Sequence, residues 1–338
     1  MEINPKFNLK ILKKVNSEGV NSMLYLVEDT QLGARFMLKQ IDKNKFKDPQ
    51  KYFEESEKIY NSSHPNIISI NYASSDEDYI YIAMPYFRNG SLYHVLENRD
   101  LSIREIIKYS LDFLSAVSYI HSIGIVHCDI KPNNILISDE GNAVLTDFGS
   151  ALYLNSRGNA RLKNVYYKHI APEQCTNSVI DKKIDIYQIG TTLYRMCNSN
   201  DEYNAQARRY KDLNSLKVAC AKGKFPIRKK YLPHIPKSMI NIIEKCLNVN
   251  PKERYEDVLE IMNDLSKVEE NLDWVYEKIN KDKYIWRLDK YNQRIEIKLY
   301  KNEMDWNVYC GENIIATIDS KAKGYREIRK IIKFYEKK

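Results

Sequence analysis

The apolar positions of this chain change period twice along its length. From residue 7 to 41 they fall in short runs rich in apolar and β-branched residues, Phe7 to Val15, Met23 to Val27 and Phe36 to Ile41, which predicts an antiparallel β start. After Asp48-Pro49 the spacing turns helical, with Phe53, Ser56, Ile59 and Tyr60 on one side, until Asn61-Ser-Ser-His64-Pro65 ends it. Two more strands are predicted at Ile67 to Tyr72 and Tyr79 to Met84, split by the acidic turn at 74–78. From Asn89-Gly90-Ser91 to about Val268, i, i+3, i+4 spacing takes over, in Asp100 to Ile123, Lys183 to Cys197, Ser238 to Leu247 and Tyr255 to Lys267. Within this helical half, Asn134 to Ile137 and Ala143 to Leu145 flank Asp139-Glu-Gly-Asn142 as a small hairpin.

The end of the chain returns to period two. Tyr284 to Leu288, Gln293 to Tyr300, Trp306 to Cys310 and Asn313 to Ile318 read as four short strands, with turns at Asn302-Glu303 and Gly311-Glu312. Ser320 to Phe334 reads as a helix with Ile328, Ile331 and Ile332 on one side and Lys321, Arg329, Lys330 and Lys333 largely on another. The expected organisation is α+β: a β-rich lobe over 1–87, a helical lobe over 88–268, a linker helix over 269–282 and a small basic module over 283–338.

Composition narrows the function classes. With 338 residues, 43% hydrophobic and 29% charged, the chain is long enough for two or three cores and too balanced for disorder. No apolar run approaches the ~20 residues of a membrane helix, and Met1 to Leu12 lacks a signal-peptide core, so no membrane association is expected. The six cysteines lie at least 22 positions apart and never form CxxC, which argues for reduced thiols in a cytoplasmic protein. Residues 277–338 hold 16 Lys/Arg against 10 Asp/Glu, so most of the net charge of +8 sits in the tail.

The densest group of chemically capable residues is His127-Cys-Asp129-Ile-Lys131-Pro-Asn-Asn134, followed 13 residues later by Asp147-Phe148-Gly149 and then by Ala171-Pro172-Glu173. In this order and spacing the chain resembles a protein kinase over residues 8 to 268, with Lys39, Glu55, Asp185 and Arg254 at kinase-like positions. The resemblance implies the two-lobed kinase fold and transfer of the γ-phosphate of ATP, with Mg²⁺, to a protein substrate. It implies that Asn134 and Asp147 hold the metal, that Asp129 accepts or orients the acceptor hydroxyl, and that Lys131 steadies the transferring phosphate. Lys39 would grip the α- and β-phosphates, with Glu55 as its ion-pair partner. Adenine would lie against Met84 and the hinge, where Pro85 offers a carbonyl and Phe87 an amide, while Leu24, Met37 and Leu136 sandwich the ring.

The resemblance also carries structural roles. Ile59, Ile70, His127 and Phe148 would stack as an apolar column, Glu173 and Arg254 would pair as a buried salt bridge, and Asp185 would hold the catalytic-loop backbone. This framework builds a protein-substrate platform and separates the chain from kinase-like phosphotransferases acting on small molecules. Lys131-Pro132 points to serine/threonine acceptors.

Three positions depart from the kinase pattern. The glycine-rich loop reads Ser17-Glu-Gly19-Val-Asn-Ser22-Met-Leu24, keeping only its middle glycine, so Ser17 and Ser22 must let backbone amides approach phosphate in spite of their Cβ atoms. Cys128 stands where many kinases have the arginine that receives an activation-loop phosphate, which predicts activity without loop phosphorylation. Tyr166 stands where the serine/threonine class usually has Thr, which leaves acceptor choice open. The eroded loop keeps an alternative in view, a nucleotide-binding pseudokinase or scaffold with a docking module. For the tail itself, the net charge and the interleaved Trp286, Tyr291, Tyr300, Trp306 and Tyr309 suggest a polyanion site, and the plainer reading is a protein-docking unit with a solvated lysine face.

Overall fold

The computed structural model describes residues 7–15, 22–45, 53–60, 63–161, 169–175, 179–290 and 293–337. The first lobe is an antiparallel sheet of β1 (Leu9–Val15), β2 (Ser22–Asp29), β3 (Arg35–Asp42), β4 (Tyr72–Ser75) and β5 (Tyr79–Pro85), in the order β1-β2-β3-β5-β4. Helix α1 (Glu54–Tyr60) interrupts it. The strand expected at Ile67 to Tyr72 is displaced: β4 begins only at Tyr72. Ile67 and Ile68 are buried in the main core instead, where Ile68 N and Leu145 N bond Leu145 O and Asn66 O across the lobe boundary. A short apolar run is compatible with either role, and here packing between the lobes takes it.

Helix α1 also differs from its apolar pattern. Ile59 is buried as expected, but Phe53 is 40% and Tyr60 80% exposed, and the buried neighbour of Ile59 is Lys58. The lobes of the molecule join through Pro85 to Ser91, and Ser91 caps α2 (Leu92–Asn98) by accepting from His94 N. Helix α3 (Ile103–Ser122) starts two residues after the end of Asp100-Leu101, at a reciprocal capping box in which Ser102 and Glu105 satisfy each other's backbone amides.

Short ladders then carry the chemistry-bearing loops. β6 (Ile125–Val126) pairs with β9 (Leu152–Tyr153), β7 (Ile135–Ile137) with β8 (Ala143–Leu145), and β10 (Ala160–Arg161) with β11 (Val179–Ile180). Beneath them runs α4 (Lys183–Asn198), whose sixteen residues are all buried. Gly190 permits its close approach to the later helices, because a Cβ there would meet Cys246 Cβ at 2.6 Å. Against it pack α5 (Asn200–Ala207) and α7 (Lys237–Cys246), while α8 (Val258–Leu265) packs on α3 and α7, and α6 (Leu213–Ala221) on the turn at Pro172–Cys175. No helix among the described residues is long and apolar enough to cross a membrane.

The tail is a five-stranded meander, β12 (Val275–Asn280), β13 (Lys283–Lys290), β14 (Gln293–Asn302), β15 (Asp305–Cys310) and β16 (Asn313–Ile318), backed by α9 (Lys321–Glu336). The four expected strands and the helix are present. The linker helix expected over 269–282 is not: a turn leads into β12, which pairs with β13 from Val275 opposite Arg287 to Asn280 opposite Lys283. Tyr276 explains the difference, since it lies opposite Trp286 on the inward face and joins the module's core.

The module is seated on the helical lobe. Trp286 Nε1 donates to His234 Nδ1 at 3.2 Å, Asn271 Nδ2 to His234 O at 2.9 Å, and Arg329 Nη2 to Tyr231 O at 2.9 Å. Arg104 of α3 forks onto the Asp273 carboxylate at 2.6 and 2.8 Å. Lys321, expected on a solvated face, lies 3.7 Å from the Tyr284 ring centroid, and burial lowers its ammonium pKa to about 8. Burial likewise lowers His234 to about 3, so its ring stays neutral and Nδ1 remains an acceptor.

All three tryptophans of the chain, Trp274, Trp286 and Trp306, belong to this module, so tryptophan emission reports on it alone. We expect the emission and far-UV circular dichroism transitions in denaturant to coincide, with His234→Leu lowering both by about 1 to 3 kcal/mol because the indole N–H loses its acceptor. Because His234 is neutral when folded and takes up a proton once exposed, that difference shrinks as pH falls below about 6.5. Two separate transitions would mean that the module folds independently of the lobe.

Candidate active site

The loop from His127 to Asn134 joins β6 to β7 and is held from below by polar side chains of the buried helix α4. The Asp185 carboxylate accepts from His127 N and Cys128 N, both at 2.8 Å, and also contacts His121 Nε2 at 2.8 Å. One turn later the Gln188 amide accepts from Ile130 N at 2.9 Å and donates to Cys128 O at 2.8 Å. These bonds fix successive peptide units, and they hold Cys128 at φ 65°, a left-handed conformation that a residue with a Cβ adopts only when its surroundings impose it.

On this support three expected residues meet. Lys131 Nζ lies 3.0 Å from Asp129 Oδ2, and Asn134 Nδ2 donates to both Asp129 O and Oδ2 at 2.9 Å. Asp129 Oδ1 is buried and has no hydrogen-bond partner among the described residues, whereas Oδ2 is doubly engaged. Burial pushes the Asp129 carboxyl above its ordinary range, with the Lys131 charge opposing. Thr146 N donates to Asn134 O at 2.9 Å, which brings the start of the Asp147-Phe148-Gly149 segment alongside.

Asp147 is itself left-handed, at φ 64°, and Lys39 Nζ from β3 donates to its Oδ1 at 3.2 Å. The Lys39 charge holds the Asp147 carboxyl below the usual range against the opposing effect of burial. The pairing of Lys39 with Asp147 is not anticipated by the sequence. The side chain of Glu55 lies outside the described residues, although its backbone is in α1.

The donor set suits a hard cation. Asn134 spends its N–H₂ on Asp129, so its carboxamide oxygen is the group left for a metal, and Asp147 supplies a carboxylate on a side chain that is 44% exposed. Two oxygen ligands are what a Mg²⁺ ion shared with a polyphosphate asks of the protein, since that ion keeps waters and phosphate oxygens in its shell.

The residues expected around adenine also converge. Met37 faces Met84 across β3 and β5, Leu24 faces Lys39 across β2 and β3, and Leu24, Phe87 and Leu136 are half-buried against the core that contains Met84. Ser22 opens β2, whereas Ser17, Gly19 and Tyr166 lie outside the described residues, as does Tyr291 of the tail. A cavity of about 340 Å³ touches Pro85, Tyr86 and Phe87 but is otherwise walled by residues of 65–69 and 138–144, away from Lys39 and Asp147.

The supporting contacts follow the expected pattern. Arg254 forks onto Glu173 with both bonds at 2.7 Å, and His127 packs edge-on against Phe148 with centroids 5.0 Å apart. Ile59 and Phe148 share the main core, with Ile70 packed against it. One residue escapes the sequence reading. Lys58 is buried and donates from Nζ to Ala151 O at 2.8 Å, and the only signal for it is a charged residue beside Ile59.

The comparisons agree with this geometry. The protein kinase domain family matches residues 12–265, from β1 to the end of α8, leaving the tail module outside. The chain is similar to the serine/threonine-protein kinase PrkC of Bacillus subtilis (strain 168), at 30% identity over 76% of this chain and 40% of that protein. It is similar to the probable serine/threonine-protein kinase PknB of Lactococcus lactis subsp. lactis (strain IL1403) at 29% over 76% and 41%, and to the serine/threonine-protein kinase Nek1 of Mus musculus at 26% over 72% and 20%. The chain thus spans well under two thirds of the length of these relatives. With a family match covering both lobes and the loop on α4, the chain belongs to the protein kinase domain family.

Proposed function

We propose that this chain is a serine/threonine protein kinase that transfers the γ-phosphate of ATP to protein hydroxyls and does not wait for activation-loop phosphorylation. The observation that carries the reading is the divided Asp129 carboxylate, with Oδ2 tied to Lys131 and Asn134 and Oδ1 buried without a partner among the described residues. A substrate hydroxyl is the donor that would satisfy that oxygen. Asp129 Oδ1 would take the proton of the acceptor hydroxyl as its oxygen bonds to phosphorus and the bond to the leaving diphosphate oxygen breaks. Lys131 and Lys39 would hold phosphate oxygens in place. Asn134 and Asp147 would hold Mg²⁺, which when bound supplies neutralisation of the phosphate charge.

Loop independence rests on Cys128. Its side chain is buried, it offers no cation to a phosphate, and burial pushes its thiol pKa well up, with Asp185 and Asp129 adding to the effect. An inert thiol there neither senses a phosphate nor oxidises readily. The cysteine spacing supports a cytoplasmic setting.

We further infer that the tail module meets a protein partner in preference to a polyanion. Arg287 and Lys298 on its open face are engaged by Glu277, Glu296 and Glu312, and Trp286 is consumed in the core. Alternating charge of this kind is neutralised locally and gives little attraction for phosphate.

Asp129→Asn and Lys39→Met are each expected to lower phosphoryl transfer by about two orders of magnitude or more while leaving the thermal melt unchanged, as both remove transition-state interactions and little packing. If the wild-type protein binds ATP but transfers no labelled phosphate to any acceptor with Mg²⁺ or Mn²⁺, the pseudokinase alternative replaces this reading. Protein made in a kinase-free background and verified unphosphorylated by mass spectrometry should transfer phosphate at once. A lag removed by prior phosphorylation between residues 150 and 167 contradicts the loop-independent form.

A further inference from the structure

Lys58 is a charged residue buried beside Ile59 in α1. It is 5% exposed, and its ammonium reaches the carbonyl of Ala151, itself 1% exposed, at 2.8 Å. Holding an ammonium out of water is costly unless the bonds it makes return that cost, so such a residue is retained where it does something an apolar side chain does not.

Its position suggests what that is. Ala151 closes the tight turn that begins at Asp147, because Ala151 N donates to Phe148 O at 3.0 Å. The two ends of this turn are held by different elements: Lys39 of β3 takes Asp147 at 3.2 Å, and Lys58 of α1 takes Ala151 at 2.8 Å. Between them Phe148 is fully buried against His127. The turn carrying one metal ligand is therefore clamped from both sides, and one clamp comes from the helix that also carries Glu55.

The same ammonium lies near the catalytic loop. Its charge is felt by the Cys128 thiol, where it opposes burial, Asp185 and Asp129.

We propose that Lys58 is a positioning residue for phosphotransfer, a built-in tether that holds α1 against the segment following Asp147 and so assembles the site without covalent modification. The inference rests on the phosphotransfer reading above and supplies a physical reason for its loop independence. Lys58 touches no substrate; it acts through Ala151 and the turn that ends there.

The test uses the full chain. Lys58→Met keeps the length and apolar stem of the side chain and removes the donor, and it also relieves the burial of a charge, so it should leave folding intact while loosening the turn. The expected result is a fall in kcat of about tenfold or more with a melting temperature within a few degrees of wild type, and about tenfold faster amide hydrogen exchange over residues 148–154. Lys58→Arg, which keeps a buried cation, should hold kcat within about threefold of wild type. The proposal is overturned if Lys58→Met keeps kcat within about twofold, if its exchange over 148–154 is unchanged, or if Lys58→Arg loses as much as Lys58→Met. A Lys58→Met chain that does not fold also overturns it, because the residue would then serve the fold. If the wild-type protein itself transfers no phosphate, the phosphotransfer reading fails, and the exchange comparison alone still decides whether Lys58 clamps the turn.

Discussion

The carboxylate of Asp185 sets the geometry on which the site depends. It sits in a helix buried on every side and spends its oxygens on the amides of His127 and Cys128, with His121 as a third partner. A buried anion without such donors would be strongly unfavourable, so the helix and the catalytic loop need each other. Gln188 extends the arrangement by one turn and bonds the loop on both sides of Asp129. Side chains of a core helix thus do what a flexible loop could not do for itself, holding Asp129, Lys131 and Asn134 within hydrogen-bond distance of one another.

The remaining contacts carry this rigidity outward. Arg254 and Glu173 fix the far end of the activation segment, with the guanidinium also donating to Lys183 O at the start of α4. Lys39 and Lys58 fix its near end. The segment is anchored at both termini by charge-assisted bonds from elements that do not themselves belong to it. The tail module adds to the helical lobe through a buried histidine that stays neutral in the folded state.

Much of this was legible in the sequence because the chemistry is concentrated in short motifs with fixed spacing. Asp129, Asn134 and Asp147 are picked out by the kinase resemblance, and the hairpin Ile135–Ile137 with Ala143–Leu145 follows from its apolar runs and the turn between them. The strands of the tail were readable from period-two spacing. What escaped was whatever depends on partners distant in sequence. Ile67 and Ile68 read as a strand but fill the gap between lobes, because an apolar run does not encode which surface will bury it.

Residues 275–280 lack strong alternation and become a strand only because β13 offers them an edge and Trp286 a neighbour for Tyr276. Lys58 is invisible for a related reason: a lysine in a short helix reads as solvated until the carbonyl it bonds, 93 residues away, is brought against it. The seat of the module on His234 likewise joins positions 52 residues apart. Whether α4 organises the site by binding the loop backbone is decided by Asp185→Asn. That change keeps the shape and one acceptor but turns the other oxygen into a donor facing a backbone N–H. We expect a loss of phosphoryl transfer of about a hundredfold or more with ATP binding and the thermal melt largely retained. Wild-type activity in a folded Asp185→Asn protein would contradict it.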